Sequence, residues 1–239
     1  MKKLFHKIAF FLIAIALAFF ATPCKIAQAN PKNSFVQVFF EYSNGIFSGA
    51  GTGSGSIVKS VKGGGYVLTA AHVCLPGVFR FKEPVPLDLM NIQLSVLDND
   101  NKFYEAEIYG FEIRNDLCLL YVKDIDKPTL KIARKGPRNH ENVANIAAPL
   151  GMFGEALMPY FEGHYLGTTY MNWFDLMESR KMAVYSVPAA GGSSGSPVLN
   201  QYNRLIGMIH SVYPDMHHLS LSPTWKQIDL FLKRQLDDL

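Results

Sequence analysis

The chain has 239 residues, 49% of them apolar and 18% charged, with a formal net charge of +3. That length allows one large or two small domains with real cores. The basicity is confined to the N-terminus: losing Lys2, Lys3, Lys7 and Lys25, with no acidic residue among the first 29, turns +3 into −1. No Lys/Arg stripe remains beyond that point, which argues against a nucleic-acid partner.

The first segment reads as a targeting signal. "MKKLFHK" is basic, Ile8 to Phe20 is an apolar run of 13 residues, and Ala27-Gln28-Ala29 supplies the small-x-small pattern of a signal-peptidase site. A membrane span needs about 20 apolar residues. A cleaved export signal over 1–29 is therefore expected, with a retained anchor as the alternative. Cys24 follows Pro23, a poor fit to a lipidation site. The expected location is secreted or periplasmic, free of the membrane once the signal is cleaved. Nothing in the residues specifies an oligomeric state.

Short β-type runs come next, broken by Gly, Pro, Asn and Asp: "SFVQVFFEY", "GSIVKS", "GYVLTAAHV", "IQLSVLD", "KFYEAEIYGFEI" and "LCLLYVK". A polar stretch with two prolines, 124–142, makes a natural linker. Beyond it lie "NVANIAAPLG", "GHYLGTTYMNWF", "KMAVYSV", "SPVLN" and "RLIGMIHSV". No internal repeat is apparent, and even spacing of many strands predicts barrels or sandwiches rather than βαβ units. In "SPTWKQIDLFLKRQL", Trp225, Ile228, Leu232 and Leu236 recur at helical steps. This predicts a terminal amphipathic helix, with Ser222 as its cap and Pro223 in its first turn.

The stretch "PAAGGSSGSPVLN", Pro188 to Asn200, crowds three serines among glycines. Read as G-x-S-x-G it would place a nucleophile at Ser193 on a strand-to-helix elbow. Read as Gly-x-Ser-Gly-x-Pro it places the nucleophile at Ser194. Pro197 and the apolar runs after it predict a hairpin, not a helix, and favour Ser194. A serine hydroxyl needs a base, and the base an orienting group. Upstream, "VLTAAHVC" puts His72 in a small-residue turn after an apolar strand. "RNDLCLLYV" puts Asp116 at the head of another, the acid with the most apolar neighbours.

Together "GYVLTAAHV", "NDLCLL" and "GGSSGSPV" resemble the three signatures of the chymotrypsin-like serine peptidases, in that family's order, with gaps of 44 and 78 residues. The short loops look closer to its bacterial and viral members than to the digestive enzymes. The resemblance implies an all-β fold of two six-stranded antiparallel barrels with a C-terminal α-helix. The first barrel, 30–125, would carry His72 and Asp116, and the second, 140–239, Ser194. It implies a serine endopeptidase acting on polypeptides through an acyl-enzyme. Ser194 would be the nucleophile, His72 the proton carrier and Asp116 its orienting anion. The amides of Gly192 and Ser194 would form the oxyanion hole. The alternative is a catalytically silent relative that binds peptides in the same cleft.

Ser193 stands where zymogen members have an aspartate, and no Ile-Val-Gly-Gly start lies near Asn30. The oxyanion hole is therefore expected to form on folding. Cys74 and Cys118 each lie two residues past a member of the triad. They would be either a bridge between the two segments or a pair of buried thiols. By motif offset, Pro188, Ala189 and Ala190 would floor the primary specificity pocket, with His210, Ser211 and Val212 as a wall. No acid sits there, which argues against a preference for Lys or Arg. The wall histidine, with His217 and His218, would suit Glu or Gln. However, His210 follows Gly207 by three, a slip that turns a strand side chain to the other face and leaves a small apolar pocket equally open. No acid or cysteine pattern completes a metal site around His217 and His218, and neither metal nor cofactor is expected.

Overall fold

The computed structural model describes residues 30–43, 45, 48–76, 90–171, 179–213 and 215–237. The expected export signal over 1–29 lies outside them. Strands β1 (Phe35–Ser43), β2 (Ser48–Val61), β3 (Gly64–Ala70), β4 (Asn91–Leu97), β5 (Phe103–Glu112) and β6 (Leu117–Lys123) close into a barrel of order β1-β2-β3-β6-β5-β4. The sequence explains the layering. In β5 the residues up to Ala106 alternate between exposed and buried, as expected of a half-solvated strand. β3 is buried along its whole length and β6 nearly so, and these two pair with each other.

The second half is a seven-stranded sheet, in the order β11-β10-β7-β8-β9-β13-β12. Its strands are β7 (Asn142–Ile146), β8 (Tyr160–Met171), β9 (Arg180–Tyr185), β10 (Pro197–Asn200), β11 (Leu205–Met208), β12 (Ser211–Tyr213) and β13 (Met216–Pro223). The sequence reading expected a second six-stranded barrel; strand pairing gives a seven-stranded sheet whose two edge strands, β11 and β12, are separated by only Ile209 and His210. The reason is local. The run "RLIGMIHSV" is broken at Ile209–His210, so its first half pairs with β10 and its second with β13. The two edges of the sheet are thus two parts of one short segment. At the break, the Ile209 carbonyl accepts from Gly195 N and the His210 amide donates to Leu221 O, at 2.7 and 3.1 Å.

The polar connector between the halves is pinned rather than loose. Leu130 N donates to Ile57 O in the first barrel, and Ala133 N to Leu205 O in the second sheet, at 2.7 and 2.9 Å. The terminal helix spans Trp225–Leu236 and buries Ile228, Phe231 and Leu232 against the core cluster that continues from the first barrel. Its cap differs from expectation. Thr224 is the N-cap, in reciprocal bonds with Gln227, while Ser222 and Pro223 end β13. The Ser222 hydroxyl is occupied elsewhere, accepting from Met208 N at 2.9 Å. A capping box outcompetes a lone serine because it satisfies two orphan donors at once.

Candidate active site

His72 sits in the helical turn Ala71–Cys74 that continues β3. Asp116 ends the 3-10 turn Ile113–Asn115 before β6, in the left-handed conformation at φ 53°. Aspartate tolerates that region better than most residues, and it aims both main chain and carboxylate back at the histidine turn. Asp116 O accepts from Ala71 N at 3.1 Å. Its Oδ1 accepts from the His72 amide and its Oδ2 meets His72 Nδ1, both at 2.8 Å. The carboxylate is wholly buried, while the His72 side chain is 25% exposed. Burial alone would raise the Asp116 pKa, but the two imidazoles facing it, through charge and hydrogen bonding, hold it down at about 2. Burial alone would lower the His72 pKa. The charge and hydrogen bond of Asp116 outweigh it, and the net shift is upward from 6.5. An anionic Asp116 requires the proton on His72 Nδ1, leaving Nε2 as the acceptor side of the ring.

The Cys74–Cys118 bridge is formed, with Cα atoms 6.6 Å apart. It lies in the same β3–β6 seam, where Thr69 pairs with Cys118 and Ala70 with Leu117.

The serine loop is tied down from several sides. Leu150 N donates to Gly191 O at 2.6 Å, and Ser54 N to Ser194 O at 2.7 Å. Ser54 Oγ donates to Gly192 O at 2.8 Å and accepts from Ala148 N at 3.0 Å. Asn145 Nδ2 holds Ser196 Oγ and Pro197 O. Gly192 and Gly195 both have φ +91°, where an L side chain is strained. A Cβ on Gly195 would also lie 1.9 Å from Ser54 O. Among the described residues, no backbone carbonyl accepts from the amides of Gly192 or Ser194, which leaves both N–H groups available to an incoming oxygen.

Ser193 is buried, and its hydroxyl accepts from Ala190 N at 3.2 Å. The loop runs on into strand β10, not into the helix an elbow serine requires. Ser194 is half-buried, with Oγ donating to His210 O at 3.4 Å.

The expected pocket residues divide. Pro188 is exposed, and Ala189 N donates to His217 O at 3.2 Å, which brings this segment beside β13. Ser211 and Val212 lie on β12 and pair with Leu221 and Ser220 of β13, so these stretches do meet. The His210 side chain does not join them. It is fully buried, with Nδ1 3.4 Å from Asp116 Oδ2. His217 and His218 are exposed. Among the described residues, a cavity of about 700 Å³ opens between the terminal helix and β9, lined by Glu112, Arg114, Arg180 and Arg234; it includes none of His72, Gly192 or Ser194.

Ser54 and Asn145 were not legible as site residues. The signal for Ser54 was the small-residue run "SGAGTGSGS" inside a strand, since glycine in a strand interior marks close approach of another backbone. Here the approaching backbone is the serine loop.

Comparison with known proteins agrees with this geometry. A family model described as the trypsin-like peptidase domain matches residues 53–208, more than half the chain. No curated protein matches the sequence. Among solved structures, the active form of the Rv3671c protease from M. tuberculosis is similar, with a TM-score of 0.67 at 16% identity, covering 90% of this chain and 88% of that one. The inactive form of the same protease gives 0.63 at 15%, covering 86% and 90%. At such identities the structural likeness speaks for the fold, while the matched domain, running from beside Ser54 to the end of β11, speaks for descent. The chain belongs to the trypsin-like peptidases, and by that membership it is a serine peptidase.

Proposed function

We propose that this peptidase is exported and cleaves polypeptides internally through Ser194, His72 and Asp116, by way of an acyl-enzyme. The observation that carries the reading is the double grip of Asp116 on His72, one oxygen on the main-chain N–H and the other on the ring. A carboxylate that fixes both the turn and the tautomer presents Nε2 as a base. For the reaction, the Ser194 hydroxyl must leave the His210 carbonyl, which it meets at 3.4 Å, and turn to that base. His72 takes the proton as Oγ attacks the substrate carbonyl, and returns it to the leaving amine. Water then repeats the sequence on the ester and frees Ser194. The amides of Gly192 and Ser194 receive the developing oxyanion, each worth on the order of 3 kcal/mol of transition-state stabilisation. Ser193, bonded to Ala190, keeps the loop in shape without an activating N-terminus.

Export rests on the basic and apolar start of the chain with Ala27-Gln28-Ala29, and the Cys74–Cys118 bridge supports an oxidising destination. We place the primary pocket between 188–190 and 211–212, where no acid stands, and assign it a preference for small apolar residues, since the His210 ring is turned to Asp116 instead. The resting contact of Ser194 with His210 O is the one feature that favours a silent, peptide-binding relative. Digestion of a peptide library separates the two: internal cleavage after small apolar residues, lost in Ser194→Ala, supports the proposal. Binding of peptides without cleavage by the wild-type chain would overturn it.

A further inference from the structure

Cations are not spread evenly over this molecule. Beyond the first 29 residues the chain carries a net charge of −1. Yet the described residues around the cavity of about 700 Å³ include Arg114, Arg180, Lys181 and Arg234 against a single carboxylate, Glu112. That carboxylate is already divided, with Oε1 accepting from Asn115 Nδ2 and Oε2 from Arg234 Nη2. One acid cannot balance four bases.

Three segments build the walls. Arg114 is exposed in the 3-10 turn that leads into Asp116. Arg180 and Lys181 open β9, paired with Met171 and Tyr170 at the end of β8. On the terminal helix, Gln227, Leu230 and Arg234 recur at three- and four-residue steps and share one face. The walls are tied to each other: Gln227 Nε2 donates to Asn115 Oδ1 at 2.7 Å, and Arg180 Nη1 to Ile113 O at 3.4 Å.

Arg180 is only 5% exposed, and arginine stays cationic in any protein setting. Burial is the largest influence on it and lowers its pKa. Asp116 and Glu112 act against that, and Arg114 adds to it. A guanidinium held away from water beside a second one is a setting that an incoming anion relieves. Tyr170 and Leu230, 68% and 49% exposed, add apolar surface next to these charges. A sugar-phosphate or sulfated-glycan backbone makes no use of the leucine, whereas an acidic peptide with an apolar side chain fits both parts. The cavity shares its 3-10 turn with Asp116 but includes none of His72, Gly192 or Ser194, so its occupant is not the bond being cleaved.

We propose that this cavity is an accessory site for an acidic stretch of polypeptide. Its carboxylates are held by Arg114, Arg180 and Lys181, and its apolar side chain lies on Leu230. Where the stretch belongs to a substrate, the site deepens the proposed function and rests on it.

The test is fluorescence anisotropy of a labelled, glutamate-rich peptide with one leucine, on the chain carrying Ser194→Ala so that nothing is cleaved. The peptide should bind saturably, with a Kd below about 1 mM at low salt, and weaken as salt rises. Arg114→Gln with Lys181→Gln should weaken it about 10-fold, the worth of two exposed ion pairs, while Lys62→Gln in the turn before β3 should not. Leu230→Ser should cost about threefold, and nothing for a peptide lacking the leucine. No saturable binding, or unchanged binding in the double variant, overturns the proposal. So does a sulfated polysaccharide that binds more tightly than the peptide and ignores Leu230→Ser. Should the double variant fail to fold, Lys181→Gln alone decides: about threefold weaker binding supports the site, and no change overturns it. Cleavage assays on the wild-type chain then identify the source. An acidic stretch that lowers KM with kcat unchanged, an advantage lost in the double variant, belongs to the substrate; binding with no effect on KM assigns it to a separate polypeptide. A wild-type chain that cleaves nothing counts against the proposed function, and the anisotropy still reports on the cavity.

Discussion

Replacing Cys74 and Cys118 together by alanine opens a bridge between residues 44 apart in sequence. Closing a loop of that length removes denatured-state entropy worth about 4 kcal/mol at 25 °C. For a chain of this size, that lowers the melting temperature by roughly 8–16 °C. The His72–Asp116 contact should outlast the bridge, because other bonds hold it: Ala71 N to Asp116 O at 3.1 Å, His72 N to Asp116 Oδ1 at 2.8 Å, and the pairing of Ala70 with Leu117. Stability and activity should therefore separate. Urea unfolding of the oxidised wild type and the double variant should differ by about 4 kcal/mol with similar slopes. Well below the transition, kcat/KM should agree within about threefold. A stability difference under about 1 kcal/mol, within the range of an ordinary surface change, would refute the loop-closure reasoning. A folded variant that had lost activity would show that the bridge, not the main-chain clamp, positions His72.

The same geometry leads to two further outcomes. Gly192→Ala puts a Cβ 2.4 Å from Ala148 O at φ +91°, so the loop must shift and its amide turn away. If Gly192 N–H is the proposed oxyanion donor, its loss should cost about 10²–10³ in kcat with little change in KM, measured on protein whose folding is checked by its melting curve. In the pH profile, the acid limb belongs to His72, whose pKa is raised above 6.5, so kcat/KM should fall as pH drops through a value above that. The protonated ring also stabilises the fold, fully below 6.5, and that contribution is lost as pH rises through the folded-state pKa. Asp116, held at about 2, stays ionised throughout and contributes stability above the ordinary carboxylate pKa that is lost only as pH falls towards about 2. A limb at or below 6.5, or no separation between the stability and activity profiles at low pH, would show that Asp116 does not control His72.

What the sequence made legible was whatever is encoded over short distances or in motif order. His72 after an apolar strand and Asp116 at the head of another could be picked out because each motif is local, and their side chains do meet; Ser194 was picked out in the same way, from a glycine-rich loop. The first barrel was readable from its strand runs. What escaped reading depends on tertiary register. His210 looked like a pocket residue because offset from the serine motif says nothing of a backbone break at Ile209–His210, and that break aims the ring at Asp116. The same break divides one expected strand into β11 and β12, so the second sheet counts seven strands where six were expected. Ser54 sits more than a hundred residues from the loop it fastens, so no motif spans the pair. The helix cap fell on Thr224 because Gln227 completes a box, while Ser222 bonds across to Met208.

The central claim is that Ser194 is a nucleophile whose proton goes to His72. A fluorophosphonate probe tests it most directly, because the bond to phosphorus forms, and fluoride leaves, only as the serine loses its proton to a base. Mass spectrometry of the labelled chain should place one phosphonyl group on Ser194, absent from Ser194→Ala, lost from His72→Ala and kept in Ser193→Ala. Label on Ser193, or labelling of Ser194 that proceeds unchanged without His72, would contradict the account.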